Sequence, residues 1–249
     1  MVGIYYIMEE EFASIPWEPF LPLLPPKRRA QCERLRQTED RMRCVYGWLL
    51  VAYAYAALYA GHVMPPWRYA ENGKPDFARS DPAPAPQSQL LSEPVRVSAA
   101  QLTAFAQTLP RWNESSPERT EPIPAEPTGK PADTTIGGCA GFSLSHCDGA
   151  IAAAIHTCGA IGVDVEAVRP YRARTAQCFC TPAQLAELTA LSPAQADDLF
   201  TRLWTCKEAS VKFTGAGIGA QLHTPALPAR SFPIRTNAFS GWLSVCIGE

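Results

Sequence analysis

Residues 161–166, Ile-Gly-Val-Asp-Val-Glu, constrain this chain more than any other stretch, because a short β-rich run alternating apolar and acidic positions reads as a strand with one buried face. Side chains alternate across a strand, so Asp164 and Glu166 point the same way. A hard divalent cation fits between two such carboxylates. Downstream, Trp-Thr-Cys-Lys-Glu-Ala-Ser-Val-Lys at 204–212 places Glu208 and Lys212 four apart on a predicted helix, with a third carboxylate and an ammonium on one face. Three oxygen donors and a cation suggest phosphate chemistry.

The 249 residues are 47% hydrophobic, enough for a sizeable core in one large domain or two similar halves. A net charge of −2 gives no ground for expecting bulk nucleic-acid binding. Nine cysteines make an odd count without a Cys-x-x-Cys pair, and four scattered histidines supply no zinc spacing, so reduced thiols in a cytoplasmic protein are expected. Met-Val-Gly-Ile-Tyr-Tyr-Ile-Met, followed by Glu9, Glu10 and Glu11, lacks the pattern of a signal peptide and reads as an opening strand. The apolar run Cys44–Ala60 falls short of the roughly 20 residues of a spanning helix, so a buried core helix, and no membrane partner, is expected.

A basic helical segment precedes that run, from Pro25 through Lys27, Arg28, Arg29, Arg34, Arg36, Arg41 and Arg43, with Thr38 placed to cap its second part. Asn72-Gly73-Lys74-Pro75 is a turn-forming tetrapeptide expected on a loop. Residues 78–138 hold ten of the 24 prolines and read as an insertion or linker, with Ser98-Ala-Ala-Gln101 a capping box before one short helix carrying Leu102, Phe105 and Leu109. Phe142–His146 and Ala150–Ile155, joined by Asp148-Gly149, form a predicted β-hairpin. Thr181-Pro182 and Ser192-Pro193 each begin a helix, the second ending near Thr214 at Gly215. In that helix Lys207 and Glu208 fall on the inward stripe, where a bound cation or phosphate would offset the cost of buried charge. Gly241–Ile247 reads as a closing strand.

Gly162–Glu166, Trp204–Lys212, Ser145-His146 and Gly73-Lys74-Pro75 occur together in one order, and in that order they resemble the 4′-phosphopantetheinyl transferases of the long, surfactin-synthetase type. Each segment alone has an ordinary reading, as a solvated strand face, a surface ion pair or a structural histidine. Their ordered combination carries the resemblance over nearly the whole chain except the Pro-rich insertion.

The resemblance implies an α/β (α+β) fold, a pseudo-twofold pair of similar halves (1–157 and 158–249) with the active site in the cleft between them. It implies a monomer that transfers the phosphopantetheine arm of coenzyme A to a serine of an apo acyl, peptidyl or aryl carrier protein, releasing 3′,5′-ADP. By the same resemblance Asp164, Glu166 and Glu208 hold Mg²⁺ or Mn²⁺, and Lys212 neutralises the transferring phosphate. Glu208 serves as base, while Arg28, Arg43, Lys74, Pro75, Ser145, His146 and Lys207 hold the nucleotide. Gln31, Cys147 and the lack of a glutamate around Thr181-Pro182-Ala183-Gln184 depart from the family pattern, which leaves a non-catalytic module binding coenzyme A or a carrier protein as the alternative.

Overall fold

The computed structural model describes residues 1–59, 64–65, 67–69, 75–77, 93–111 and 140–248. Along the chain these form β1 (Val2–Met8), α1 (Glu9–Phe12), a 3₁₀ helix (Glu18–Leu23), α2 (Pro26–Arg34), α3 (Thr38–Leu58), β2 (Trp67–Tyr69) and β3 (Pro75–Phe77). Then follow β4 (Val95–Arg96), α4 (Ala99–Ala106), β5 (Gly141–Cys147), β6 (Ala150–His156), β7 (Ile161–Ala167), α5 (Ala173–Ala176) and α6 (Pro182–Ala190). The last are α7 (Pro193–Thr214), α8 (Ile218–Gln221), β8 (Arg230–Arg235) and β9 (Ser240–Ile247).

The architecture is α/β, built on a four-stranded sheet ordered β4-β1-β6-β5 and a three-stranded sheet ordered β7-β9-β8, with β2 and β3 forming a separate ribbon. Alternation along the strands decides what each face meets. Ile7, Ile151, Ala153 and Ile155 of the first sheet pack against α3 through Val45, Leu49 and Ala52. Its opposite face, with Val2, Ile4, Ala152 and Ala154, packs on Val163, Val165, Leu243 and Val245 of the second sheet. The helix α7 covers the remaining face of the second sheet, where Thr205 lies 2.7 Å from Ser244. The layers therefore run helix, sheet, sheet, helix.

Two edge strands meet between the layers, β5 from the first sheet and β7 from the second. No backbone ladder joins them. Instead the hydroxyls of Ser143 and Ser145 accept from the amides of Val163 (3.0 Å) and Val165 (3.4 Å), satisfying edge N–H groups that would otherwise be buried without partners. Gly162 brings α7 close to β7, since a side chain there would collide with the Ala209 carbonyl and the Phe213 amide.

Local signals in the sequence account for most boundaries. Gly149 takes the positive φ of 104° in the β5–β6 turn, and Gly215, at φ 72°, ends α7. Thr181 with Gln184 and Ser98 with Gln101 form capping boxes. Thr38 behaves otherwise: it is the first residue of α3, and the preceding extended residue, Gln37, occupies the cap position without a side-chain bond. The short helix expected within 78–138 is α4, with Leu102 and Ala106 buried. The strand β4, which pairs parallel with β1, was not anticipated. Pro75 opens a strand, not only a turn, and Lys74 lies outside the described residues.

Candidate active site

At the β5–β7 junction Asp164 is 4% exposed, with its Oδ1 accepting from Ser145 Oγ and Lys212 Nζ, each at 2.8 Å. Lys212 also donates to Ser145 Oγ at 2.8 Å, which closes a triangle of three groups drawn from β5, β7 and α7. The other carboxylate oxygen of Asp164, Oδ2, is buried and has no hydrogen-bond partner among the described residues. Leaving a carboxylate oxygen dry and unpaired is costly.

Glu166 lies on the same face, one strand period further along, and accepts from Arg169 Nη2 at 2.8 Å. The guanidinium of Arg169 stacks 5.1 Å from the centre of the Trp204 ring. Glu208 extends from α7, half-buried. Burial pushes both glutamates above the usual carboxylate range; Asp164 adds to the rise in each, while Arg169 and Lys212 oppose it. Each glutamate thus lies within the field of Asp164, and nearby cations offset only part of the effect of burial. No set of three His, Cys, Asp or Glu groups among the described residues is gathered closely enough to be a metal site as it stands. The donor chemistry nevertheless fits a hard cation: carboxylate oxygens in surplus, one of them bare.

His146, next to Ser145, projects to the opposite face of β5 and is exposed. Desolvation by surrounding atoms holds its imidazole below the usual histidine range, Lys212, Arg43 and Arg28 push it further down, and Asp40 opposes them. These cations and Asp40 therefore share one charged edge with His146 at the β-hairpin. Arg43 is strongly engaged within it, pairing with Glu9 at 3.0 Å, Asp148 at 2.8 Å and Asp40 at 3.5 Å. Arg28 donates to Gln31 at 3.4 Å and stacks on Trp67 at 5.4 Å, while its Nε is buried without a hydrogen-bond partner among the described residues.

Lys207 departs from the sequence expectation. It is fully buried, and its Nζ donates to the Thr224 carbonyl at 2.6 Å and the Thr224 hydroxyl at 3.2 Å. Burial on the inward stripe depresses its basicity, and the loop residue Thr224 takes up these hydrogen bonds. Gln184, in the Thr181–Gln184 stretch where the resemblance calls for a glutamate, caps α6 by accepting from Thr181 N at 2.8 Å. The Cys147 thiol is pushed up to about 12 by burial, then by Glu166 and Asp164. Sequence reasoning missed Arg169, Ser143 and Glu9. Arg169, three residues after Glu166 at the strand exit, left a readable signal, whereas Glu9 reaches Arg43 only through tertiary folding.

Residues 160–241, which contain Asp164, Glu166, Arg169, Glu208 and Lys212, match the family model of the 4′-phosphopantetheinyl transferase superfamily. A 4′-phosphopantetheinyl transferase of Bacillus subtilis is 33% identical over 94 residues, 38% of this chain and 38% of the relative. The 4′-phosphopantetheinyl transferase HetI of Nostoc sp. (strain PCC 7120) is 37% identical over 97 residues, 36% of this chain and 40% of the relative. The 4′-phosphopantetheinyl transferase AcpT of Escherichia coli K12 is 39% identical over 77 residues, 30% of this chain and 39% of the relative. The chain spans about two fifths of the length of these curated relatives.

Proposed function

We propose that this protein transfers the 4′-phosphopantetheine arm of coenzyme A to a serine hydroxyl on an acyl, peptidyl or aryl carrier protein, releasing 3′,5′-ADP. The observation that carries the reading is the state of Asp164: one oxygen tied to Ser145 and Lys212, the other buried and bare, within the segment that matches the transferase family. In this reading Asp164, Glu166 and Glu208 would hold Mg²⁺ or Mn²⁺. Such an ion, when bound, supplies charge stabilisation on the pyrophosphate as the phosphorus–oxygen bond breaks.

The protein's own groups then divide the remaining work. Lys212, 30% exposed on its side chain, brings an ammonium toward the phosphate while holding Asp164 in place. Glu208, raised above the usual carboxylate range by burial, is suited to take the proton of the carrier serine. Arg28 and Arg43 would supply cations for the nucleotide on the other side of the hairpin and His146 an imidazole whose charged form is disfavoured, with Lys74 and Pro75 assigned there by resemblance alone. Transfer of this kind depends mainly on positioning and charge stabilisation, which a fixed set of carboxylates and cations provides.

We further place the active site between two halves divided near residues 157 and 158, in a long-type transferase that works as a cytoplasmic monomer. The two main sheets draw on Val2–His156 and Ile161–Ile247, which supports the division, and the eight described cysteines are all free, which suits a reducing compartment. No described helix is long and apolar enough to cross a membrane.

The test is incubation with an apo carrier protein, coenzyme A and Mg²⁺, read by intact-protein mass spectrometry. The expected result is a phosphopantetheine-sized mass gain that chelator abolishes and Asp164→Ala loses. Coenzyme A binding without any gain across fatty-acid, polyketide and peptide carriers would replace this reading with the non-catalytic module.

A further inference from the structure

Ser145 has one hydroxyl proton and two acceptor lone pairs. All three are committed: the proton goes to Asp164 Oδ1 at 2.8 Å, one lone pair accepts from Lys212 Nζ at 2.8 Å, and the other accepts from the Val165 amide at 3.4 Å. A phosphate oxygen needs a donor, and the single donor of this side chain is already engaged. From this valence count we infer that Ser145 is a positioning residue for Asp164 and Lys212, not a side-chain contact for the nucleotide as the resemblance implied. The inference rests on the transferase reading above and specifies how that site is held.

Its physical content is the choice between two oxygens. Ser145 and Lys212 together saturate Oδ1, which fixes the carboxylate and leaves Oδ2 as the oxygen available to a cation. Ser145 belongs to the first sheet, whereas Asp164 and Lys212 belong to the second sheet and its helix. The orientation of the key acid therefore depends on the seating of one layer on the other. Ser143 provides an internal comparison: it makes the equivalent bond to Val163 N, at 3.0 Å, and no bond to either Asp164 or Lys212 is found for it among the described residues.

The experiment measures two affinities on the full chain, Mn²⁺ by electron paramagnetic resonance and coenzyme A by calorimetry in chelator, for wild type, Ser143→Ala, Ser145→Ala and Ser145→Thr. Groups that orient a metal ligand typically contribute about 10- to 100-fold in metal affinity. Ser145→Ala is expected to lose Mn²⁺ affinity on that scale while keeping metal-free coenzyme A affinity. Ser143→Ala should keep both, and Ser145→Thr, which retains the hydroxyl, should stay near wild type. If Ser145→Ala fails to fold, Ser145→Cys, of similar size but a weak donor, carries the same expectation. Loss of coenzyme A affinity with Mn²⁺ binding intact would overturn the inference and return Ser145 to the nucleotide. Equal Mn²⁺ losses in the two alanine variants would overturn it as mere loosening of the sheets. Mn²⁺ binding that no variant alters would overturn the positioning role alone. A wild type that binds no Mn²⁺ would overturn the metal assignment and this inference together, while transfer activity would still be read separately by mass gain.

Discussion

Lys207 and Lys212 stand on one helix and have opposite circumstances. Lys207 is sealed in the protein and bonded to Thr224, whereas Lys212 reaches the acid pocket. Lys207→Met should therefore cost stability through the lost bonds and the orphaned carbonyl, about 1–3 kcal/mol, and leave coenzyme A affinity unchanged. Urea unfolding and calorimetry check the two halves of that statement, and weaker binding at unchanged stability would contradict it. The sequence placed Lys207 on the inward stripe correctly, but it could not show the partner. Thr224 lies in a loop seventeen residues on, beyond the reach of helical periodicity. Asp164, Glu166 and Glu208 were legible because their two periods, strand and helix, both turn charge to a single side. Arg43 was legible only as a cation; its engagement by Glu9 and Asp148 depends on the fold bringing α1 and a hairpin turn to the start of α3.

Between elements, the site depends on how closely α7 lies on β7, and Gly162 sets that distance. Gly162→Ala should push the helix outward and destabilise the protein by roughly 1–3 kcal/mol or more, read as a lower denaturation midpoint. A change within about 0.5 kcal/mol, the usual range for surface substitutions, would show that the helix is not seated so tightly. At the junction of the sheets, Ser143→Ala strands the Val163 amide and should cost about 1–3 kcal/mol, with hydrogen exchange quickening at Val163. Helix boundaries came readily from capping boxes and Gly215, since those signals are local. The serine bridge did not, because Ser143 and Ser145 on a strand predict only which face they share. That this face meets another edge strand is decided by the stacking of two sheets.

For the molecule as a whole, the acid pocket ties stability to pH. Glu166 and Glu208 have folded-state pKa values raised above their unfolded value of about 4.5, with burial the first cause and Asp164 adding to it. Between the raised values and the unfolded one, the folded state binds more protons than the unfolded state. Stability then rises as pH falls through that window, by the sign of the linkage relation. In metal-free buffer the contribution of these two groups therefore makes the protein more stable on the acid side of neutrality, until carboxylates elsewhere titrate. Glu208→Gln should remove part of that slope and raise stability at pH 7, on the scale of roughly 0.5–2 kcal/mol common for relieving strain at a working site. Mg²⁺ favours the ionised carboxylates, so adding it should raise the melting temperature of wild type more at pH 7 than near pH 5. In Glu208→Gln that gain should shrink. Thermal melts across pH, with and without Mg²⁺, test both signs at once. A wild type whose metal-free stability falls steadily from pH 7 to pH 5, and which Glu208→Gln does not stabilise, would mean that burying Glu166 and Glu208 carries no cost in the folded protein. Under the proposed transferase function such a cost has a use, since the two glutamates whose burial raises their proton affinity are among the groups that would hold a cation beside the pyrophosphate.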